Sequence, residues 1–507
     1  MRQTMRWVAV LLLCCATARG QVGDLPRSTP EAQGIPSAAV SQLLDTLVGD
    51  PSVTNIHSVM LLRHGKVVAE VYPEPWRAEY RHTMYSCSKT FVSVAVGLAV
   101  DEHKLRVTDR VIHFFPELKL EMKSPELAAM TVRDLLIMAS GIAPDGNLRA
   151  ECSDWIRAYL SKPMTTPGRR FRYDSLCTYL LSAIVQRVTG MKTLDYLQKH
   201  LFDYMHITEV GWEESPEGYN VGGWGLHIQS ESMAKLGQLL LQKGRWGARQ
   251  LLSESWVRRM MRPQIAVNQS RTKFYGYQMW SCTPKGAYCA DGRLGQYILV
   301  MPEQDMVAVV TECAIAPKLH LVWDVLLPQL SDEPLEESED YALMKEKIDS
   351  CRYLPPVGTD TLSLMKEMEG RVYEFTENEF GWKTLSFRQH RGRMEMNVLD
   401  KHGRRYTLSL GYGEWLTNEV AAYPLYSMNA RQKFRGLKGP FYVAGSYAWG
   451  EDALQVRLEY VNWISAAALE IRPVDDRLVV RVKKAYQKRE EEMWGREVTP
   501  QAAARGR

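Results

Sequence analysis

The chain has 507 residues, 45% hydrophobic and 24% charged, and 63 Lys and Arg against 59 Asp and Glu leave a formal charge of +4. This is the composition of a folded protein with length for about two to four domains, and it excludes disorder, collagen and a small disulfide-knotted scaffold. The cations form no basic stripe, so the electrostatic footprint of a nucleic-acid binder is missing.

Arg2 and Arg6 precede an apolar stretch at 7–18 that ends in Ala16-Thr17-Ala18. At about twelve residues it is too short to cross a bilayer of roughly 30 Å. A positive start, a short apolar middle and small residues at its end predict a cleavable signal over 1–20 and an exported protein, periplasmic or secreted. No later segment is long and apolar enough to span a membrane. Cleavage leaves Cys87, Cys152, Cys177, Cys282, Cys289, Cys313 and Cys351. Their irregular spacing is neither a disulfide framework nor a zinc site, and most read as small buried hydrophobes. Cys282 and Cys289 flank a turn at 283–286 and could pair in an oxidising compartment.

From Pro30 to about Leu330 strand-like and helical stretches alternate. The stretch 58–71 reads as a hairpin of two buried strands around Arg63-His64-Gly65-Lys66. The next, 89–100, is apolar on nearly every face, which places a helix in the middle of a domain. Amphipathic helices are expected at 132–138, 176–188 (stopped by Gly190), 194–201 and 233–242. Strand patterning returns at 275–280, 296–301 and 306–311, the last two joined by a turn at 302–305. Strands at both ends and helices between predict one sheet assembled from distant parts of the chain and flanked by helices. An acidic, Pro-containing region at 331–358 reads as a linker. Beyond it, short alternating strands at 372–375, 384–387, 394–398, 406–410, 454–458 and 478–482 predict an antiparallel sandwich or small barrel. Tyr373, Phe375, Trp382, Trp415, Tyr447 and Trp449 are expected to fill its core, and the charged last twenty residues to fray.

The chemistry is expected at Ser86-Cys87-Ser88-Lys89. Serine and lysine three apart at a helix start share one face. The hydroxyl becomes a nucleophile only when a neighbour takes its proton, and a lysine does so only when burial lowers its pKa toward neutrality. Ser-x-x-Lys occurs four times, at Ser86, Ser232, Ser270 and Ser363, which is near chance. Only at Ser86 does a fully apolar helix follow. Tyr173-Asp174-Ser175 stands at the mouth of the helix 176–188, where a tyrosine can share protons with such a pair and becomes a base when cations lower its pKa.

These residues resemble the serine hydrolases of the class C β-lactamase and penicillin-binding-protein type, with their esterase and amide-hydrolase relatives. The resemblance covers about 28–330 and rests on Ser86-x-x-Lys89, on Tyr173-x-Ser175, and on companion segments in order: Asp134-Leu135-Leu136 through Ser140-Gly141, Gly222-Gly223-Trp224-Gly225-Leu226, and Gly295-Gln296-Tyr297 leading to Pro302. It implies an α/β β-lactamase-like domain over 21–330, an antiparallel sheet flanked by helices with a helical subdomain. The linker 331–358 and a C-terminal all-β domain at 359–507 would follow. It also implies that Lys89, assisted by Tyr173, takes the Ser86 proton, that Ser86 attacks an ester or amide carbonyl, and that Tyr173 protonates the leaving group. The backbone amides of Ser86 and Ala290 would form the oxyanion hole. Ser175, Trp224, His227 and Tyr288 would line the substrate pocket.

One motif departs. Where the family has Lys-Thr-Gly or His-x-Gly on a strand, this chain has Tyr288-Cys289-Ala290-Asp291-Gly292. The cation that would hold a β-lactam carboxylate is absent there, which favours the esterase and amide-hydrolase branch. The expectation is an exported hydrolase of small esters or amides with no metal or cofactor. An acyltransferase using a hydroxyl acceptor, and an inactive ligand-binding relative, are the alternatives. The C-terminal domain is expected to cover part of the cleft. No G-x-x-x-x-G-K-[ST], H-E-x-x-H or G-x-S-x-G motif supports another chemistry.

Overall fold

The computed structural model describes residues 25–49, 55–119, 124–358, 362–390, 392–428, 430–431, 433–487 and 489–499, with only the backbone at 362–364. The expected leader at 1–20 lies outside the described residues.

Continuous apolar runs become the middle of a sheet. Ile56–Arg63, Gln296–Met301 and Met306–Glu312 are buried along their whole length, as strands covered on both faces must be. They belong to an eight-stranded sheet in the spatial order Lys66–Val71, Ile56–Arg63, Met306–Glu312, Gln296–Met301, Tyr288–Gly292, Trp280–Ser281, Phe274–Tyr275 and Ile265–Ala266. Every pairing is antiparallel. Ser37–Val48 and His320–Leu326 bury one face of this sheet in an apolar cluster with Leu61, Leu299 and Val310. On the other face lie Ser230–Leu241 and the all-apolar helix Ser88–Asp101. Gly237 permits that approach, since a Cβ there would meet Val307 at 2.5 Å. The helix Ser175–Thr189 ends at Gly190 with φ +71°, as the stop signal requires.

Two expectations for this region change. The run 275–280 is not one strand but two short ones, with Trp280 paired back onto Tyr275. The chain reverses at Gly276–Met279, where Gln278 takes φ +63° and its side-chain amide donates to the Leu135 and Leu136 carbonyls. The segment 331–358 carries a helix, Asp340–Asp349, whose buried Met344 joins the cluster under Ser37–Val48. Its acidic composition hid one apolar stripe.

The C-terminal strands close into a barrel rather than a sandwich. Nine strands run round it in the order Arg405–Tyr412, Arg393–Asp400, Trp382–His390, Val372–Phe375, Glu491–Val498, Arg477–Lys484, Ala466–Val474, Leu454–Glu459 and Phe441–Trp449. The ring shuts where Gly411 and Tyr412 pair with Ser446 and Tyr447. That closing pair is parallel, and Leu416–Val420 is added outside it on Phe441–Trp449. Glu491–Val498 lies in the segment expected to fray. Glu492, Trp494 and Arg496 face outward, Met493 and Gly495 face the core, Glu491 pairs with the buried Lys484, and the backbone fills the gap between Val372–Phe375 and Arg477–Lys484. Closing a sheet leaves no edge unpaired, which outweighs a poor strand composition.

The barrel is fastened to the α/β domain by polar and aromatic contacts. Trp463 stacks on His227 at 4.6 Å, Trp415 donates to the Tyr353 carbonyl at 2.9 Å, and Glu214 N–H donates to the Arg435 carbonyl at 2.8 Å. Of the six aromatics expected in the barrel core, Tyr373, Phe375, Trp382, Tyr447 and Trp449 are buried. Trp415 instead packs at the junction with Trp76 and Tyr353.

Candidate active site

Ser86 lies in the single turn Tyr85–Cys87 that feeds the helix Ser88–Asp101. The residue before it, Tyr85, has φ +41°, strained backbone for a bulky side chain. Its ring is buried, and its hydroxyl shares a 2.5 Å hydrogen bond with Ser427 of the barrel. The turn is pressed against Tyr288–Gly292, where a Cβ on Gly292 would come within 2.4 Å of the Met84 carbonyl oxygen. This brings the strand bearing Ala290 beside Ser86.

Lys89 follows one turn later and is 1% exposed. Its Nζ stands 2.8 Å from Ser86 Oγ, 3.1 Å from Ser175 Oγ and 2.6 Å from the Gly223 carbonyl oxygen. Burial pushes its pKa down to about 7, helped by Arg149 and opposed by Asp174. An ammonium gives one hydrogen to each of the three oxygens. A neutral amine gives two and turns its lone pair to the third. The carbonyl can only accept, so the lone pair must face a hydroxyl, and Ser86 is the nearer one. The close approach of Gly223 requires a glycine: a Cβ would meet the Ser175 carbonyl oxygen at 2.6 Å and its Cβ at 2.8 Å.

Tyr173 packs against Trp280 at 5.2 Å and lies with its ring 4.9 Å from Lys89 Nζ. Burial pushes its phenol above the ordinary 10, against a lowering contribution from its hydrogen bond with Ser86. The expectation that cations would make it a base is therefore corrected. Desolvation dominates and holds Tyr173 in its neutral form. Asp174 caps the next helix by accepting from the Leu176 N–H at 2.9 Å. Burial raises its pKa, against the Leu176 hydrogen bond.

These groups open onto a cavity of about 470 Å³ lined by Tyr85, Ser86, Arg149, Tyr173, Ser175, Trp224, Trp280, Asp291, Arg293, Ser427 and Met428. Ser86, Tyr173, Ser175 and Trp224 from the sequence reading thus share one wall system, with Lys89 behind it. His227 and Tyr288 do not reach it. His227 is held between Trp463 and Glu213, whose carboxylate lies 3.6 Å away. Tyr288 is buried in the sheet, two residues and roughly 7 Å along the strand from Ala290. Both are packing residues here, which corrects their expected place in the pocket.

Arg149, Arg293, Trp280, Asp291, Tyr85, Ser427 and Met428 also line the cavity without having been expected there; Ser427 and Met428 come from a loop more than 330 residues beyond the nucleophile, which no local pattern marks. Burial pushes the Asp291 carboxyl up to about 6, with Lys273 and Lys89 opposing. Cys289, on the strand Tyr288–Gly292, and Cys282, just past the neighbouring strand Trp280–Ser281, are both free thiols. Among the described residues no group of three or more His, Cys, Asp or Glu is placed to hold a metal ion, and no helix is long and apolar enough to cross a membrane.

Residues 27–312 match the family model described as Beta-lactamase. The chain belongs to this family of serine hydrolases. Over 278 residues, 52% of this chain and 70% of the relative, it is 22% identical to the 6-aminohexanoate-dimer hydrolase of Paenarthrobacter ureafaciens. Over 66 residues, 13% of this chain and 12% of the relative, it is 39% identical to the human mitochondrial serine beta-lactamase-like protein LACTB. A solved structure from Bacillus anthracis, provisionally named a 6-aminohexanoate-dimer hydrolase, superposes with a TM-score of 0.50 at 18% identity, covering 65% of this chain and 87% of that one. That likeness is one of fold.

Proposed function

We propose that the protein is an acyl-serine hydrolase of small esters or amides, with Ser86 as nucleophile, Lys89 as its base and Tyr173 as the proton donor to the leaving group. The observation that carries this is the buried Lys89 amine, 2.8 Å from Ser86 Oγ at the floor of an open cavity. The neutral amine takes the Ser86 proton as Oγ attacks the carbonyl carbon. The Ser86 and Ala290 amides are assigned to the developing oxyanion. Tyr173 then delivers a proton to the departing oxygen or nitrogen, Lys89 resupplies it, and water releases the acid by the reverse route. The family membership and the relative named as a 6-aminohexanoate-dimer hydrolase support this reading.

Intact-mass measurement across a panel of esters, amides and β-lactams tests it. An acyl adduct on the wild type and none on Ser86→Ala is expected; equal adducts on both would remove Ser86 from the mechanism. Export is proposed with it from the pattern at 1–20, and N-terminal sequencing of protein from the producing organism, beginning near residue 19 or 21, checks it.

A further inference from the structure

We propose that Arg149 and Arg293 form a subsite for a carboxylate on the substrate, so that the preferred ester or amide is an anion. The inference rests on the hydrolase reading and names its substrate class.

Both guanidiniums line the cavity into which Ser86 opens, and neither lies on a segment matched to the family's motifs. The Arg149 guanidinium carbon lies over the Trp224 ring, 4.7 Å from its centroid, a contact that uses none of its N–H donors. Its Nε is buried with no acceptor among the described residues, and its side chain's one hydrogen bond is a long 3.5 Å contact to the Gly146 carbonyl. Neither arginine has a carboxylate within 4 Å among the described residues. Of the acids nearby, Asp145 is paired with Lys162 at 2.7 Å and Asp174 caps a helix through one carboxylate oxygen; Asp291 lines the same cavity as the arginines, and burial pushes its carboxyl up to about 6, toward the neutral form.

The partly buried Arg149 guanidinium, with open donors, is costly to leave unpaired; Arg293 is exposed and adds its charge at the cavity's rim. The group whose geometry matches its planar fork is a carboxylate. Positive charge enters the cavity from two places, the helix Leu148–Glu151 and the turn after Tyr288–Gly292. The barrel sets the first of these: the Arg431 N–H donates to the Arg149 carbonyl at 2.9 Å and Arg431 Nε to the Ala150 carbonyl at 2.8 Å. The C-terminal domain thereby positions the anion subsite as well as roofing the cavity.

The test compares kcat/KM for length-matched substrate pairs. p-Nitrophenyl hydrogen glutarate against p-nitrophenyl pentanoate places the charge on the acyl side; 3-carboxyphenyl acetate against phenyl acetate places it on the leaving group. In one of these pairs the wild type is expected to favour the anion at least about tenfold, and R149Q and R293Q each to lower that ratio by about tenfold, the worth of one charge-assisted hydrogen bond. R149K should keep part of the preference. A wild-type ratio near one in both pairs, or a ratio that neither variant moves, overturns the subsite. Calorimetric titration of glutarate against glutaramide into Ser86→Ala protein reads the same subsite without turnover. Glutarate binding that R149Q or R293Q abolishes supports it even if no ester is cleaved, and equal affinity for the two probes counts against it. Ester turnover that survives Ser86→Ala instead overturns the hydrolase reading, and the titration then decides the subsite alone.

Discussion

The two β systems of this chain use their faces differently. Met306–Glu312 is buried at every position, whereas Arg393–Asp400 alternates between buried and partly exposed or exposed positions. The first belongs to a sheet with helices on both sides; the second belongs to a barrel whose core is inside and whose outer face meets water. In the sheet domain chemistry is placed by short-range geometry, with nucleophile and base one helical turn apart. The barrel sends in a loop instead: Ser427 and Met428 line the cavity, and the Tyr426 hydroxyl accepts from Trp224 at 3.0 Å and donates to Glu213 at 2.9 Å. Reactivity is thus built on one side of the cavity, and its shape and charge are set in part from the other.

The sharpest test of this division removes the local side. Ser86→Ala and Lys89→Met should each lower acylation by at least about a thousandfold. Lys89→Met should not lower Tm, because it replaces a desolvated amine with an apolar chain of similar length. A hundredfold smaller effect in either variant would move the reactivity elsewhere in the cavity.

Next comes pH. Only the neutral amine accepts a proton, and its fraction falls tenfold per unit below a pKa of about 7. Acylation should therefore drop about fiftyfold between pH 7 and pH 5 and level off above about pH 8, and a flat kcat/KM profile would remove Lys89 as base. The same depressed amine affects folding. Between about 7 and the ordinary 10.5, the unfolded chain holds a proton that native Lys89 has released, so stability climbs with pH across that window. Denaturation midpoints of Lys89→Met should lack this slope.

Gly223→Ala should follow. Its Cβ has no room against Ser175, so the carbonyl must move off Lys89. Acylation is expected to fall about tenfold to thirtyfold, with about 1 to 3 kcal/mol lost in stability, measured by stopped-flow and by denaturant unfolding. The smallest effect tests the barrel side. Ser427→Ala removes the partner of Tyr85 across the seam and should reduce kcat/KM about twofold to fivefold, the worth of one neutral hydrogen bond. A loss as large as that of Lys89→Met would mean that the barrel controls reactivity and not only fit.

The extent to which sequence foretold these features follows their range along the chain. The hairpin 56–71, the buried helix after Ser86 and the Ser86–Lys89 pairing rest on neighbours a few residues apart, so hydrophobic period and helical spacing suffice to read them. Tyr173 is legible from its place at the mouth of a helix, and Ser175 only from the resemblance of Tyr173-x-Ser175 to the family's motif. His227 is taken up by Trp463 and Glu213, and Tyr288 shares a face with Ala290 but lies two residues further along the strand, so both placements depend on where distant segments pack. Glu491–Val498 looked frayed because its composition is charged, and it is a strand because closing a ring requires one.

The sequence by itself determined which hydroxyl and which amine meet, since one turn of helix fixes their separation and an apolar surround removes the water that would keep the amine charged. Only the tertiary structure decided what faces them. Arg149, Arg293, Ser427 and Met428 come together through contacts between segments up to hundreds of residues apart, and the free energy that selects such contacts depends on packing across the domain seam, which no local pattern encodes.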